Sequence, residues 1–255
     1  MKTALFVRNS DYLSNAIDLL NEQTELLYVV HADSDEIGFL KEYCGKIEIE
    51  CLSQGEFVRL LKISALEELD FILSYYYQQR LTKEVLCYPR KGCVNFHPAP
   101  LPKYRGVGNY SKCILDGLDY WGVSAHLMDE EFDNGPLIKV LTFHVLPERE
   151  TYLSLESKTR IFMFELLVDV IEMINGHKPF NDYKETQEPY EYLSKRDIGA
   201  LKEVKMDESN IDIDRKIRAF WRPPFHGANI RIGSKQYTLV SDEILRELAE
   251  MYKEK

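Results

Sequence analysis

Residues 93–106 read CVNFHPAPLPKYRG, an apolar run that ends in an amide and an imidazole and then meets three prolines in five positions. On an extended strand residues i and i+2 point to one face, so Asn95 and His97 present their side chains together. Pro98, Pro100 and Pro102 fix φ and lack a donor, so the chain beyond them cannot continue a hydrogen-bonded ladder. A strand that stops this abruptly, on two polar groups, suits the carboxyl edge of a parallel sheet, where ligands bind.

The pattern on either side agrees. TALFV (3–7), ELLYVVHA (25–32), IEIEC (47–51), DFILSYYY (70–77) and GCVNFH (92–97) read as strands. Helical spacing separates them: Leu13–Asn21, GEFVRLLKIS from Gly55, and LTKEVL from Leu81. Downstream, NYSKCILDGL reads as a helix ending near Gly117, GVSAHLMD (122–129) and GPLIKVLTFHV (135–145) as strands, and TYLSLESKTRIFMFELLVDVIEMINGH as a long helix closed by Gly176. Its apolar positions Leu155, Ile161, Phe164, Leu167, Val168 and Ile171 are expected in the core. Strands alternating with helices predict an α/β fold: a Rossmann-like, mostly parallel sheet with helices on both faces. A catalytic domain over 1–177 is expected, then a polar linker over 178–209 with no periodicity. Residues 210–255 are expected to form a small C-terminal β-rich module, with a short helix, a Pro-Pro turn and a hairpin tipped by Gly233-Ser234.

Composition narrows the function classes. The 255 residues are 45% hydrophobic and 29% charged, with a net charge of -10 and no Lys/Arg block, so nucleic acid is a disfavoured partner. The apolar run after MKT is too short for a signal peptide and no stretch approaches a membrane span, so a cytoplasmic location without a membrane partner is expected. Five cysteines, at 44, 51, 87, 93 and 113, suit reduced thiols and lack the paired spacing of a zinc site, so no metal is expected.

Further along, HLMDEEFDNGPLI (126–138) crowds Asp129, Glu130, Glu131 and Asp133 between two apolar runs. Glu130 and Glu131 read as a solvated acidic loop. Asp133 lies beside the Asn134-Gly135 turn, and a carboxylate close to an imidazole orients it and favours its protonated form. His126 reads as a core or sheet-face histidine. RNSDYLSN (8–15) has no phosphate-cradling glycines, and no G-x-S-x-G elbow occurs. An isolated N-x-H is more often a polar strand end than a site, so the reading depends on the combination.

That combination resembles the N10-formyltetrahydrofolate-dependent formyltransferases. Their pattern joins an N-x-H strand end, an L-P-x-Y-R-G loop, a G-V-T-x-H strand and a D-x-G loop. Here these are Asn95-Phe96-His97, Leu101–Gly106, Gly122-Val123-Ser124-Ala125-His126 and Asp133-Asn134-Gly135, in the same order. The resemblance implies Asn95, His97 and Asp133 as catalytic residues and N10-formyltetrahydrofolate as formyl donor. It implies that SYYYQQRL (74–81) holds the pterin, with Tyr77, Gln78, Gln79 and Leu81 nearest, and that Asp129 begins the opposing loop. IRAFWRPPFHGANIRI (217–232) is similar to the C-terminal module of the sugar-nucleotide members, which implies a sugar-nucleotide partner. Lys103, Tyr104, Arg105, Gly106 and Asn109 would then meet the substrate, Lys103 and Arg105 at its diphosphate. Trp221 or Phe225 would stack on the base, or belong to the core of the appendage. The VGNYSK after Arg105-Gly106 departs from the Asn-Pro or Ala-Pro of many relatives, which leaves the sugar open. Methionyl-tRNA, glycinamide ribonucleotide and water stay open as alternative acceptors, and a homodimer through the C-terminal hairpin stays open as well.

Overall fold

The structure, a computed structural model, describes residues 1–36, 38–178 and 191–253. In chain order the first elements are β1 (Lys2–Val7), a 3-10 turn (Asp11–Leu13), α1 (Ser14–Gln23), β2 (Glu25–His31), α2 (Gly38–Lys46), β3 (Glu50–Ser53) and α3 (Gln54–Lys62). Next come β4 (Phe71–Tyr75), α4 (Lys83–Leu86), β5 (Gly92–His97), β6 (Tyr104–Gly106), α5 (Asn109–Asp116), β7 (Tyr120–Leu127), β8 (Leu137–His144) and α6 (Tyr152–Ile174). The chain closes with β9 (Glu191–Leu193), α7 (Lys195–Leu201), α8 (Asn210–Ala219), β10 (Asn229–Ile232), β11 (Lys235–Thr238) and α9 (Asp242–Lys253).

Seven strands form one sheet in the order β3-β2-β1-β4-β5-β7-β8. Strands β3, β2, β1, β4 and β5 pair in parallel, and β7 joins β5 antiparallel. The fold class expected from the sequence is therefore present, with a mixed edge. Chain order runs outward from β1 to β3 and returns at β4 to run the other way, so the topological switch point lies between β1 and β4. The central strands are unbroken apolar runs because both faces are covered: Ala4, Leu5, Phe6 and Val7 are fully buried, as are Ile72 and Leu73. On one face Phe6 packs edge-to-face against Phe57 of α3 and against Tyr77, with ring centroids 5.2 and 5.4 Å away.

The chain divides into two compact units: residues 1–102, 123–141 and 162–189, and residues 103–122, 142–161 and 190–255. The first holds the parallel strands. In the second, α5 packs on α8, where the Ser111 hydroxyl donates to the Ala219 carbonyl at 2.8 Å. Arg218, itself buried, donates to the carbonyls of Pro147 and Glu150. The β10–β11 hairpin turns at Gly233, whose φ is +60°. No described helix is long and apolar enough to cross a membrane.

Three expectations need correction or completion. IEIEC does not form a strand over 47–51, because Ile47 and Ile49 end α2: Glu48 takes φ +58° and the Ile49 N–H reaches back to the Cys44 carbonyl at 3.0 Å. That left-handed C-terminal wrap spaces the two isoleucines like a strand, and β3 begins only at Glu50. Ile161 is 68% exposed rather than in the core of α6. The buried stripe runs through Leu155, Thr159, Met163, Leu166, Leu167, Val170 and Ile171, and Ile161 lies about 200° around the helix from Thr159. Of the stretch expected as linker, 179–190 lies outside the described residues, while β9 pairs with β6 and α7 is capped by Ser194, whose hydroxyl accepts from the Asp197 N–H.

The turn into β8 depends on one glycine. A Cβ on Gly135 would stand 1.8 Å from the Leu127 carbonyl oxygen, so only glycine lets the turn lie against the end of β7. Leu127 N–H closes this turn onto the Pro136 carbonyl at 2.9 Å. Replacing Gly135 by Ala forces the two backbones apart, at a cost of about 1–3 kcal/mol. Thermal melts of the purified variant should fall by several degrees, and a wild-type melting temperature would show that the turn has room to spare.

Candidate functional site

The sheet register assembles the site. Asn95 on β5 is paired with Ser74 on β4 and with His126 on β7, and His97 is paired with Ser124. Directly paired residues share a face, so the N-x-H of one strand lies opposite the S-x-H of its antiparallel neighbour. A row Ser74–Asn95–His126 thus crosses three strands, at the carboxyl ends of β4 and β5.

Hydrogen bonds set the orientation of every group in that row. His126 Nδ1 lies 2.8 Å from its neighbour's carbonyl, Leu127 O, which only accepts, so the proton is on Nδ1 and Nε2 carries a lone pair. Asn95 Nδ2 donates to that lone pair at 3.1 Å, and Asn95 Oδ1 accepts from the Ser74 hydroxyl at 2.9 Å. The amide is therefore fixed with its NH2 toward His126 and the cleft. Burial pushes the His126 imidazole from 6.5 down to about 4, so it stays neutral and an acceptor near pH 7. His126 is 2% exposed. Sequence reasoning placed it in the core, which is correct for its burial but misses its work on Asn95. The available signal was the shared i, i+2 spacing of Asn95/His97 and Ser124/His126, which only the strand pairing turns into contacts.

Asp133 completes the cluster. Its Oδ1 lies 3.4 Å from His97 Nδ1 and 3.9 Å from His126 Nε2. All three side chains are largely buried. Asp133 takes φ +50°, a left-handed turn conformation that aspartate tolerates better than most residues. The loop before it is stapled by Asp129, whose carboxylate accepts from Glu131 N–H at 2.8 Å and from the Asn134 amide at 3.2 Å. The proline exit from β5 is held by Ser124. Its hydroxyl donates to Ala99 O at 2.8 Å and accepts from Leu101 N–H at 2.9 Å, which stops the strand end from moving.

A cleft of about 90 Å³ opens onto this row, lined by residues 77–81 on one side and 128–133 on the other, with Ser74, Asn95 and His126 at its base. The expected donor-binding residues Tyr77, Gln78, Gln79, Leu81 and Asp129 all line it. Their side chains are largely occupied in holding the loop. Tyr77 donates its hydroxyl to Gln54 Oε1 at 2.7 Å, and Gln54 Nε2 donates to Arg80 O at 3.1 Å. Gln79 is paired through both ends of its amide with Asp33, at 2.9 Å each, and that amide is the main reason the Asp33 carboxyl sits below its ordinary value. Leu81, Leu86 and Met128 give the cleft its apolar surface. Such a lining, polar at its base and apolar along one side, suits a flat hydrogen-bonding ring system. The mouth is clasped by Arg80, which donates to the Glu130 carbonyl and stacks 5.2 Å over the Phe132 ring. Lys83 adds an ion pair to Glu130. These contacts join the 77–81 and 128–133 sides of the cleft. Among the described residues no group of three or more His, Cys, Asp or Glu is placed to hold a metal ion.

The six residues expected to meet a substrate lie in the second unit. Lys103 is exposed, while Arg105 is 2% exposed beside Gly106 on β6. Tyr104 packs on Trp121 at 4.9 Å between ring centroids. Asn109, at the start of α5, donates to the Gly106 carbonyl at 3.1 Å. Trp221 is half-buried just after α8.

Known proteins share this arrangement. The formyl transferase family model matches residues 52–171. The GDP-perosamine N-formyltransferase of Brucella melitensis biotype 1 is 32% identical over 179 residues, covering 70% of this chain and 67% of that protein. A methionyl-tRNA formyltransferase of Agathobacter rectalis is 28% identical over 177 residues, covering 69% of this chain but 55% of that protein. Among solved structures, the N-formyltransferase from Helicobacter canadensis, in complex with folinic acid and dTDP-3-aminofucose, superposes with a TM-score of 0.72 at 18% identity, over 92% of this chain and 85% of that one. With the Asn95–His97–Asp133 cluster at the carboxyl edge of its sheet and a curated relative matched over two thirds of both lengths, this chain belongs to the formyl transferase family.

Proposed function

We propose that this formyltransferase moves the formyl group of N10-formyltetrahydrofolate onto the amine of a nucleotide-linked amino-deoxysugar, whose N-formylated product serves a surface glycan. The observation that carries the chemistry is the convergence of a fixed amide donor, a buried imidazole and a carboxylate on one end of β5. The acceptor class is supported by the Brucella relative named for GDP-perosamine and by the dTDP-aminosugar bound in the Helicobacter protein. A net charge of -10 works against a tRNA acceptor, whose phosphates the body of the protein would repel.

The donor supplies an activated formyl carbon. As the sugar amine forms its bond to that carbon, negative charge develops on the formyl oxygen. Asn95 meets that oxygen with its second amide N–H, the first being held by His126. Donors preset in this way are worth roughly 10²–10³ in rate. His97 takes the proton that the amine sheds and returns it to the departing nitrogen of the donor, so no net proton is left on the protein. Such acid–base help is worth roughly 10²–10⁴. Asp133, 3.4 Å from His97 Nδ1, orients the ring and stabilises the imidazolium while it exists. The main chain of residues 77–81 and the 129–133 loop hold the donor. The neutral state of His126 matters throughout, since a protonated ring would present two donors and turn Asn95 around.

Formyl transfer to a panel of dTDP-, UDP- and GDP-linked amino sugars, followed by mass spectrometry, tests the reading. We expect one sugar to gain a formyl group, and His97→Ala and Asn95→Ala each to slow the reaction by about 100-fold or more. Formylation of methionyl-tRNA and of no sugar would replace the proposed acceptor. His126 makes a separate prediction in pH. Its folded value, about 4, lies below the 6.5 of an unconstrained histidine, so its contribution to stability is complete above pH 6.5. It is lost as pH falls from 6.5 toward 4, because the unfolded chain binds the proton first, with a slope of at most about 1.4 kcal/mol per pH unit. Chemical denaturation at stepped pH should show that slope diminished in His126→Gln. Identical slopes in both proteins would mean that His126 titrates normally.

A further inference from the structure

We propose that Cys44 and Cys51 form a reversible disulfide, made by exchange with a low-molecular-weight disulfide such as oxidised glutathione. All five cysteines are free thiols in the structure, and the left-handed wrap that ends α2 brings these two together. Cys44 lies in the last turn of α2, one turn after Leu40, and both are fully buried. The wrap returns the chain to the helix, where the Ile49 N–H reaches the Cys44 carbonyl at 3.0 Å. Two residues later Cys51 sits on β3, and alternation along the strand decides which way it points. Leu52 packs in the cluster of Phe57, Tyr28 and Val30, so Cys51 points to the opposite face. That face carries fully buried Val29, its partner on β2, and it is where α2 packs against β3.

The two thiols are hydrogen-bonded to each other, and they are not equivalent. Cys44 donates its S–H to Cys51, whose own thiol is thereby held below its ordinary value against burial and the Glu56 charge. The same contact, together with burial, pushes the Cys44 thiol up. Exposure divides them in the same way: Cys51 is partly exposed on β3, the end strand of the sheet, and Cys44 is fully buried. Cys51 is thus the attacking thiol and Cys44 the resolving one. The Cys51 thiolate attacks one sulfur of the reagent, so a Cys51–glutathione bond forms and the reagent's S–S bond breaks, releasing one glutathione thiolate. Cys44 then gives up its proton, attacks the Cys51 sulfur and expels the second glutathione. The pair loses two electrons and its two protons, and the reagent leaves as two thiols. The sulfurs close from hydrogen-bonding contact to about 2.05 Å. The other cysteines are placed differently. Cys93 Sγ is turned toward the Val85 and Leu86 carbonyls, at 3.8 and 3.7 Å, and Cys113 is buried. Cys87 is exposed, open to a mixed disulfide with the same reagent. The bridge would tie the end of α2 to the strand that enters α3 through the Ser53 cap.

The intact mass of a Cys87→Ser protein, held in oxidised glutathione and then desalted, tests this assignment, which does not depend on the formyl acceptor. We expect most of the protein to lose the mass of two hydrogen atoms, and dithiothreitol to restore it. Trypsin cuts after Lys41, Lys46 and Arg59, so the bridge should join peptide 42–46 to peptide 47–59. Adding Cys51→Ser, at a partly exposed position, should abolish the loss. Adding Cys44→Ala should instead leave Cys51 carrying one glutathionyl group, and a melt on each variant verifies that it is folded. A bridge that maps to any other pair, or a loss that persists with Cys51→Ser, would overturn the proposal. So would glutathionyl adducts without a bridge in the Cys87→Ser protein, or a mass unchanged at millimolar oxidised glutathione.

Discussion

The pairing of β5 with β7 is the constraint on which the candidate site depends. Because β7 runs antiparallel to β5, His126 comes to lie opposite Asn95 and Ser124 opposite His97. A slip of β7 by a single residue would turn Ser124 and His126 to the other face while Asn95 and His97 stay in register with β4. The register is secured at one end by Ser124, which ties down the proline segment, and at the other by the Gly135 turn, which lies against Leu127. The Leu127 carbonyl serves twice: it is the atom that Gly135 must clear, and it is the acceptor that fixes the tautomer of His126. Backbone geometry at a loop is thereby converted into the direction in which an asparagine points.

The same economy marks the cleft above this row. The resemblance implies that the backbone of the Tyr77–Gln79 segment holds a ligand, and the side chains of Tyr77 and Gln79 are committed to Gln54 and Asp33. Gln54 in turn opens α3, whose start is fixed by the Ser53–Glu56 capping box. Side chains here tie down the segment that lines the cleft. Substitutions at Gln54 or Asp33, neither of which the motifs single out, therefore act on the cleft from behind.

Much of this was legible in the sequence, for reasons that differ from element to element. Strand β5 was readable residue for residue, since apolar alternation, a leading glycine and the first proline bound it on both sides. The carboxyl-edge placement of Asn95 and His97 followed from that strand alone. The spacing of Ile47 and Ile49 misled because period two also arises where a helix wraps into its cap, and only the hydrogen bond from Ile49 to Cys44 tells the two apart. Ile161 misled because apolar residues on a long helix outnumber those its buried stripe can hold. His126 was hidden for another reason: its role exists only across a strand pair, and no local pattern announces which strand will lie beside which. Helix α9 has a strong amphipathic pattern but follows a β-rich stretch whose composition drew the reading toward strands.

The clasp that Arg80 forms over the cleft has a consequence for the reaction as a whole. Its contacts are a hydrogen bond to a carbonyl, one stacked ring and an exposed ion pair through Lys83, each worth of order 1 kcal/mol or less. Contacts of that strength join the two sides of the cleft without locking them. The open fraction scales the apparent affinity for whatever enters. A closed cleft also excludes bulk water from whatever it holds. A weak latch is thus a compromise between entry and exclusion: a tighter one would slow whatever enters, and a looser one would leave the cleft open to bulk water.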